Sequence, residues 1–322
     1  MSEPRRVRLR ALAKINLDLR VLYPRPDHYH EIRTIFQTIS LADTIDVEFT
    51  RARRTAIQID ADADIPDNLI LRAAALALDE LRVTARVEFR LRKRIPMGAG
   101  LGGGSSDAAA VLLALPVLAG RRLELDRLIA LAAELGSDVP FFLLGGAAAA
   151  LGRGTELYPL PDSAPRRGLL VAPAVHVSTA AAYRALSSRL TTESQQNKIV
   201  SFQSQVWSGL RAELGWPSGQ PGVNDFETVV FEQFPQLASL KRQLVKLGAS
   251  PALMSGSGSA LFGLFRTQEQ INRAIHSLHE ERVFRISLVS RVRYRHLWRR
   301  ALRPYIEGNQ GNLWPPLGRC GR

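Results

Sequence analysis

Between residues 96 and 106 the chain reads Pro96-Met97-Gly98-Ala99-Gly100-Leu101-Gly102-Gly103-Gly104-Ser105-Ser106, with five glycines among the seven positions from 98 to 104. Glycine loses more backbone freedom on ordering than any other residue, so this run reads as neither helix interior nor strand interior. It follows a strand-like alternation at Ala85, Val87, Phe89 and Leu91, and it opens an alanine-rich segment expected to be helical over 105–115 and to stop or kink near Pro116. A strand, a glycine loop and a helix in that order let backbone N–H groups converge on an anion, with the partial positive charge of the helix N-terminus behind them. Ser105 and Ser106 supply hydroxyls that can cap the helix, touch phosphate or hold Mg²⁺. The loop is therefore expected to bind nucleotide phosphates. It is not a Walker loop, since Gly-x-x-x-x-Gly-Lys-Ser/Thr is absent from the sequence. Gly98-x-Gly100-x-x-Gly103 does match the dinucleotide pattern, but a window this rich in glycine matches by composition, and it begins after Pro96, well inside the domain, rather than off a first strand.

Residues 11–22 alternate as a strand does, and Lys14, Asn16 and Asp18 share one face of it. Ile45, Val47 and Phe49 suggest another strand. Asn68 to Leu81 and residues 126–135 read as helices, the second stopping at Gly136. Pro159, Pro161 and Pro165 mark a plausible junction, dividing the chain into residues 1–160 and 161–292. In the second part a strand is expected over Val171 to Val177, an amphipathic helix over Phe231 to Leu247, a strand at Phe262 to Phe265, a helix over 268–280 and a last strand over 283–292. Residues 189–222 carry no clear periodicity. Strands mixed with helices, some pairs antiparallel, point to an α+β fold.

The charge is uneven. Of a net +13, residues 291–322 hold +7, from eight arginines against Glu307 alone. A moderately basic body suits an anionic substrate. The basic tail, 293–322, reads first as a solvated extension and second as a contact for nucleic acid or an acidic surface. No aromatic-interleaved RNA-binding motif or zinc module accompanies it, which leaves nucleic acid a weak reading. Cys320 is the single cysteine, so neither an internal disulfide nor a multi-cysteine metal site is expected, and no metal site is assigned. No apolar run reaches the roughly 18 residues that span a bilayer, and Met1 to Arg10 lacks the apolar core of a signal peptide, so a cytoplasmic enzyme without a membrane partner is the simplest expectation. Oligomeric state is not legible.

The loop resembles that of the GHMP kinases, named for galactokinase, homoserine kinase, mevalonate kinase and phosphomevalonate kinase, whose phosphate loop has the form Pro-x-x-x-Gly-Leu-Gly-Ser-Ser. Its longer Gly-Gly-Gly-Ser-Ser form is similar to one branch, which phosphorylates a diphosphocytidyl alcohol of the non-mevalonate isoprenoid pathway. Six further segments resemble that branch in order: Ala13-Lys14-Ile15-Asn16-Leu17, Asp27-His28-Tyr29-His30-Glu31, Asp67-Asn68-Leu69-Ile70, Gly136-Ser137-Asp138-Val139-Pro140-Phe141-Phe142, Asn224-Asp225-Phe226-Glu227 and Ser255-Gly256-Ser257-Gly258-Ser259. Together they cover roughly residues 9–292. His28 stands where the branch has glycine, and the tail has no counterpart.

The resemblance implies a ribosomal-protein-S5-like N-terminal domain, a C-terminal α/β domain and an active site between them. It also implies ATP with Mg²⁺ and a cytidine diphosphate substrate phosphorylated on its 2-hydroxyl. Asp138 is then the base that accepts the alcohol proton, although Gly-Ser-Asp before Val-Pro also reads as a plain turn or helix cap. Lys14 would stabilise that carboxylate and the transferring phosphoryl group, and Asn16 would hydrogen-bond substrate. Tyr29 and His30 match positions that hold cytosine, against the alternatives of a surface turn or a two-histidine metal site. Thr179 matches a substrate contact, and Asn68 and Lys93 match positions on the nucleotide side. Another GHMP kinase, such as a homoserine kinase, is the alternative in the same class.

Overall fold

The computed structural model describes residues 3–162, 165–211 and 222–306, so Cys320 and the end of the basic tail lie outside it. In chain order the first part contains β1 (Arg5–Pro24), β2 (His30–Arg51), β3 (Ala56–Ala61), α1 (Leu69–Glu80), β4 (Ala85–Arg92), α2 (Gly103–Ala119), α3 (Leu125–Leu135), α4 (Val139–Leu144), β5 (Ala147–Leu151) and β6 (Glu156–Pro159). The second contains β7 (Arg167–Val171), α5 (Thr179–Ser187), α6 (Thr192–Arg211), α7 (Glu227–Gln233), α8 (Pro235–Lys246), β8 (Ala252–Met254), β9 (Leu261–Phe265), α9 (Gln268–Ser277), β10 (Val283–Ser287) and α10 (Arg291–Ile306).

Six strands form the first sheet, with β2 as its spine. One edge of β2 pairs antiparallel with β1, from Arg5↔Phe49 to Pro24↔His30. Its other edge is shared, Thr44–Arg51 taking β4 and Thr34–Gln37 taking β5. Only β3 and β4 run parallel. Exposed and buried residues alternate only over 6–10; the alternation expected over residues 11–22 does not show in burial, since both faces are buried from Ala11 to Leu22. Here the strand lies between the two halves of the protein, and its pairing with β2 slips at Leu12/Lys14 and again at Asn16/Asp18. Bulges of this kind re-aim side chains and twist the strand.

Helix α2 fills the first core, and every residue from Ser106 to Ala119 is buried. It runs through Pro116 instead of stopping there. Proline in a helix interior costs about 3 kcal/mol, but burying Leu115, Val117 and Leu118 returns more, at roughly 1.5–3 kcal/mol for each large side chain. The helix ends at Gly120 in a left-handed conformation, φ 62°.

The second sheet has the order β10-β7-β9-β8 and is antiparallel throughout. Three expectations change here. The strand at 171 ends rather than begins there, since β7 lies before it. The helix expected over Phe231–Leu247 is two helices, broken at Phe234 where Pro235 starts α8. The last strand stops at Ser287, and the chain then turns into α10.

Residues 293–306 are not a solvated extension. Helix α10 returns to the first domain, where Tyr294, Trp298 and Leu302 join the core around α2. Arginines dominate its composition, but its apolar residues recur at the i, i+4, i+8 spacing that places them on one buried face. Among the described residues no helix is long and apolar enough to cross a membrane.

Candidate active site

The glycine loop leads from β4 into α2 and is packed against the second half of the chain. Gly100 adopts φ +77°, and a Cβ there would collide with the backbone of Ser255 and Gly256. Gly102, at φ +68°, is the N-cap of α2, and a Cβ on it would meet the ring of Phe142 at 2.9 Å and Lys14 Cγ at 3.3 Å. These two positions need glycine for both conformation and space. Ala99 and Leu101 turn inward and are buried, while Met97, Gly98 and Gly104 are exposed, with Pro96, Gly103 and Ser105 half-buried. The first N–H groups of α2 have no partner within the helix and face the loop's own opening. Of the two serines, Ser106 is committed, since its hydroxyl donates to the Leu12 carbonyl at 2.7 Å. Ser105 is the one left in the first turn for a phosphate or its metal.

At the first β1 bulge the Lys14 N–H bonds the Leu101 carbonyl at 3.0 Å, stitching the strand to the loop. Lys14 is buried, and its Nζ donates to Asn16 Oδ1 at 2.8 Å and lies 3.4 Å from Asp138 Oδ2. The Phe36 ring lies 5.1 Å from the same ammonium. Asp138 is the N-cap of α4, with its side chain about one-third exposed and no capping hydrogen bond. It is thus a carboxylate held at a cation and open on its other side. Asn16 is buried with its amide fully engaged: Oδ1 also accepts from Gly256 N–H at 3.0 Å, and Nδ2 donates to Thr34 Oγ1 at 2.8 Å. Its contacts are with the protein, and it couples Lys14 to the second glycine loop.

That loop, Ser255–Ser259, is fastened on three sides. Ser255 Oγ donates to Gly100 O at 2.9 Å, Ser259 Oγ donates to Val175 O at 2.5 Å, and Asn224 Nδ2 donates to both Met254 O and Gly256 O at 2.7 and 2.8 Å. Thr179 Oγ1 shares a hydrogen bond with Ser257 Oγ at 2.8 Å at the start of α5.

Tyr29 is about half-exposed, with the Arg153 guanidinium 5.2 Å from its ring centre. Next to it the His30 ring stacks on Tyr183 at 4.7 Å, and its Nε2 meets Ser187 Oγ at 2.6 Å. Burial lowers the His30 pKa from its ordinary value. Tyr183 stands edge-on to Phe226, and its hydroxyl is pushed up by burial and then by the negative charge of Asp138. This places the aromatic platform within electrostatic reach of Asp138. His28 takes φ +64°, a left-handed conformation at the position where the resemblance has glycine. The turn is retained at a backbone cost.

On the far side of the phosphate loop, Asn68 caps α1 by accepting from Ile70 N–H at 3.0 Å. It lines a cavity of about 770 Å³ with Asp62, Ile65, Leu71 and Arg72. Lys93 does not face an open cleft. Its side chain is enclosed between Asp43, to which it is hydrogen-bonded, and Asp107 at 2.8 Å. Asp43 also accepts from the N–H groups of Arg94 and Ile95 at 2.6 and 2.8 Å, so this buried cluster ties the loop's start to α2. One Asp107 oxygen has no partner, and burial pushes that carboxyl up, to about 7, against the pull of Lys93.

Lys14, Asp138, the glycine loop and Thr179 are therefore linked into one cluster through Asn16, Gly256 and the Ser255–Ser259 loop, with His30 joined to the helix of Thr179 through Tyr183 and Tyr29 next to His30. Asn68 lines a separate cavity, and Lys93 is enclosed by Asp43 and Asp107. Sequence reasoning missed Tyr183, Ser257 and Asn224 as parts of this arrangement. The i, i+4 spacing of Thr179 and Tyr183 puts them on one helix face, but nothing in the sequence shows that this face meets His30.

The family described as GHMP kinases N terminal domain matches residues 68–146, and GHMP kinases C terminal matches residues 200–283. A 4-diphosphocytidyl-2-C-methyl-D-erythritol kinase from Solibacter usitatus is 62% identical over 320 residues, covering 98% of each chain. One from Geobacter metallireducens is 40% identical over 84% of this chain and 93% of its own. A crystal structure of 4-(cytidine 5'-diphospho)-2C-methyl-D-erythritol kinase superposes with a TM-score of 0.72 at 36% identity, covering 87% of this chain and 98% of that one. A homoserine kinase from Cytophaga hutchinsonii shares the fold, with a TM-score of 0.66 at 18% identity. Matched in both domains and along nearly the whole chain, this protein is a member of the GHMP kinase family and a small-molecule kinase that uses ATP.

Proposed function

We propose that this site transfers the γ-phosphoryl group of ATP to the 2-hydroxyl of 4-diphosphocytidyl-2-C-methyl-D-erythritol. The observation that carries this is the Lys14–Asp138 pair, 3.4 Å apart, lying between the N-terminus of α2 and the His30–Tyr183 platform. The kinship with enzymes of that name supports the choice of acceptor.

In this reading the α2 N–H groups and the glycine loop receive the nucleotide phosphates. Ser105 and Asp138 would supply the one or two protein oxygens needed by a magnesium ion carried on those phosphates, which would neutralise part of their charge; among the described residues no group of three or more His, Cys, Asp or Glu could hold a metal of its own. Tyr29 and His30 hold the cytosine, by stacking and by a ring nitrogen. Asp138 accepts the proton as the hydroxyl oxygen bonds to the γ-phosphorus and the bond to the β-phosphate oxygen breaks, releasing ADP. Lys14, held by Asn16, faces the charge that spreads over the transferring group. Asn16 and Asn224 act from behind, holding Lys14 and the second glycine loop in register. Thr179 and Ser257 line the acceptor side.

The test is a coupled assay of ADP release with and without the diphosphocytidyl alcohol, with homoserine as competing acceptor. Release that depends on the cytidyl alcohol is expected. Equal release without acceptor, or preference for homoserine, would overturn the assignment. Asp138→Asn should preserve fold and ATP binding while lowering kcat by roughly 10²–10⁴, and a variant retaining more than about half of wild-type kcat would remove Asp138 as the base.

A further inference from the structure

Helix α10 lies beyond the part of the chain that the family's C-terminal domain matches, and it packs on the helix that carries Asp138. Helix α4 has six residues, too few to hold its own shape. At its start stands Asp138. Along its side, the Phe142 ring lies against Gly102 of the phosphate loop, and Phe141 packs at 5.0 Å on Phe36, the ring near Lys14. Gly145 N–H bonds the Phe141 carbonyl, and the carbonyls after it have no helical partner of their own.

Tyr294 supplies one. The side chain is fully buried, and its hydroxyl donates to the Phe142 carbonyl at 2.5 Å. The Tyr294 and Trp298 rings stand edge to face at 6.3 Å. The Tyr294 ring fills the space beside Gly145, the C-cap of α4, where a Cβ would otherwise project. Arg291 bonds the carbonyls of Ala147 and Leu160, fixing the strand that follows. Tyr294 thus anchors one end of α4, while the other end presents the carboxylate to Lys14.

We propose that Tyr294 is a positioning residue for phosphoryl transfer, holding α4 so that Asp138 meets the acceptor hydroxyl. The inference rests on Asp138 being the proton acceptor. A structural role alone would cost stability without selecting among kinetic constants. A positioning role costs kcat, since displacement of a reacting group by about an ångström can cost up to about 10²-fold.

Tyr294→Phe keeps the ring and removes only the hydroxyl. It would be measured for kcat, for KM of ATP and of the cytidyl alcohol, and for Tm, alone and in the Asp138→Asn background. The expected result is a loss of about tenfold in kcat, smaller than that maximal displacement, with both KM values within about twofold. In the Asp138→Asn background that tenfold loss should vanish, because both changes then act on one step. Exposed Arg299→Ala on the other face should leave kcat unchanged. Wild-type kcat in Tyr294→Phe well below its Tm would overturn the proposal, and so would a tenfold loss that persists without Asp138. Asp138→Asn alone reports on the base reading, so failure of that reading is separable from failure of this one.

Discussion

Replacing Gly100 by alanine tests whether the two glycine loops form one unit. The residue sits at φ +77°, where an L side chain costs about 1–2 kcal/mol. The added Cβ also meets backbone, not a flexible side chain: the Ser255 carbonyl carbon would be 2.9 Å away and Gly256 Cα 3.3 Å. Backbone cannot rotate aside, so the second loop must shift, at the roughly 1–3 kcal/mol typical of overpacking. The sum, about 2–5 kcal/mol, is a large part of the usual 5–15 kcal/mol of stability but leaves the chain folded. At about 2–4 °C per kcal/mol, Tm should fall by roughly 4–20 °C. The shift also pulls Gly256 N–H from Asn16 Oδ1, now 3.0 Å apart, and Asn16 holds Lys14. Activity should therefore fall further than binding, with kcat down about tenfold or more for a displaced catalytic group. The assays are thermal unfolding and coupled ADP release. Gly104→Ala is the stability control, since its Cβ would make only an ordinary 3.7 Å contact with Leu69 and its φ is not positive, so Tm should hold or rise. A Gly100→Ala protein with wild-type Tm and kcat would refute the reasoning.

Asp107 should make stability depend on pH. Its folded value of about 7 lies above the ordinary 3.8, so the native chain binds the proton more tightly, and this contribution is full below about pH 4 and lost as pH rises toward 7. Asp107→Asn lacks that loss, and at about 1.4 kcal/mol per pH unit it should gain on wild type by of order 2 kcal/mol between pH 5 and 7; a pH-independent difference in denaturant melts would contradict this. Tyr29→Ala should raise KM for the cytidyl alcohol, stacking on a base being worth about 1–3 kcal/mol, and leave KM for ATP alone; an unchanged alcohol KM would remove Tyr29 from the site. Deleting residues 291–322 should abolish soluble expression, because Tyr294, Trp298 and Leu302 each bury roughly 1.5–3 kcal/mol of apolar surface. A folded, active truncation would show that α10 is dispensable.

The sequence by itself determined the local features. Its hydrophobic periods located α1, α3, β4 and β9 to within a few residues, and the glycine run marked the loop that opens α2, because both signals are written in neighbouring residues. Seven ordered motifs carried the family and, through it, Lys14, Asp138, Tyr29 and His30. Where local rules failed, long-range packing had won. Pro116 sits inside a helix because the surrounding core outweighs its lost hydrogen bond, whereas Pro235, in a less buried setting, does break one. Lys14 and Asn16 share a strand face as read, but the bulge between Asn16 and Asp18 pairs Asp18 with Ile35, next to Asn16's partner Phe36, and so turns Asp18 to the other face. That the face of Lys14 and Asn16 is buried against the second domain, with Asn16 engaged by Gly256, depends on residues 240 positions apart. Lys93 looks like any lysine at a strand's end until Asp43 and Asp107 enclose it. The Arg-rich tail is the plainest case. Charge reads as solvation from composition alone, and only tertiary structure supplies the core into which Tyr294, Trp298 and Leu302 turn, leaving Arg293, Arg299, Arg300 and Arg303 outside. Burial is a property of what packs against a residue, and that partner is not encoded beside it.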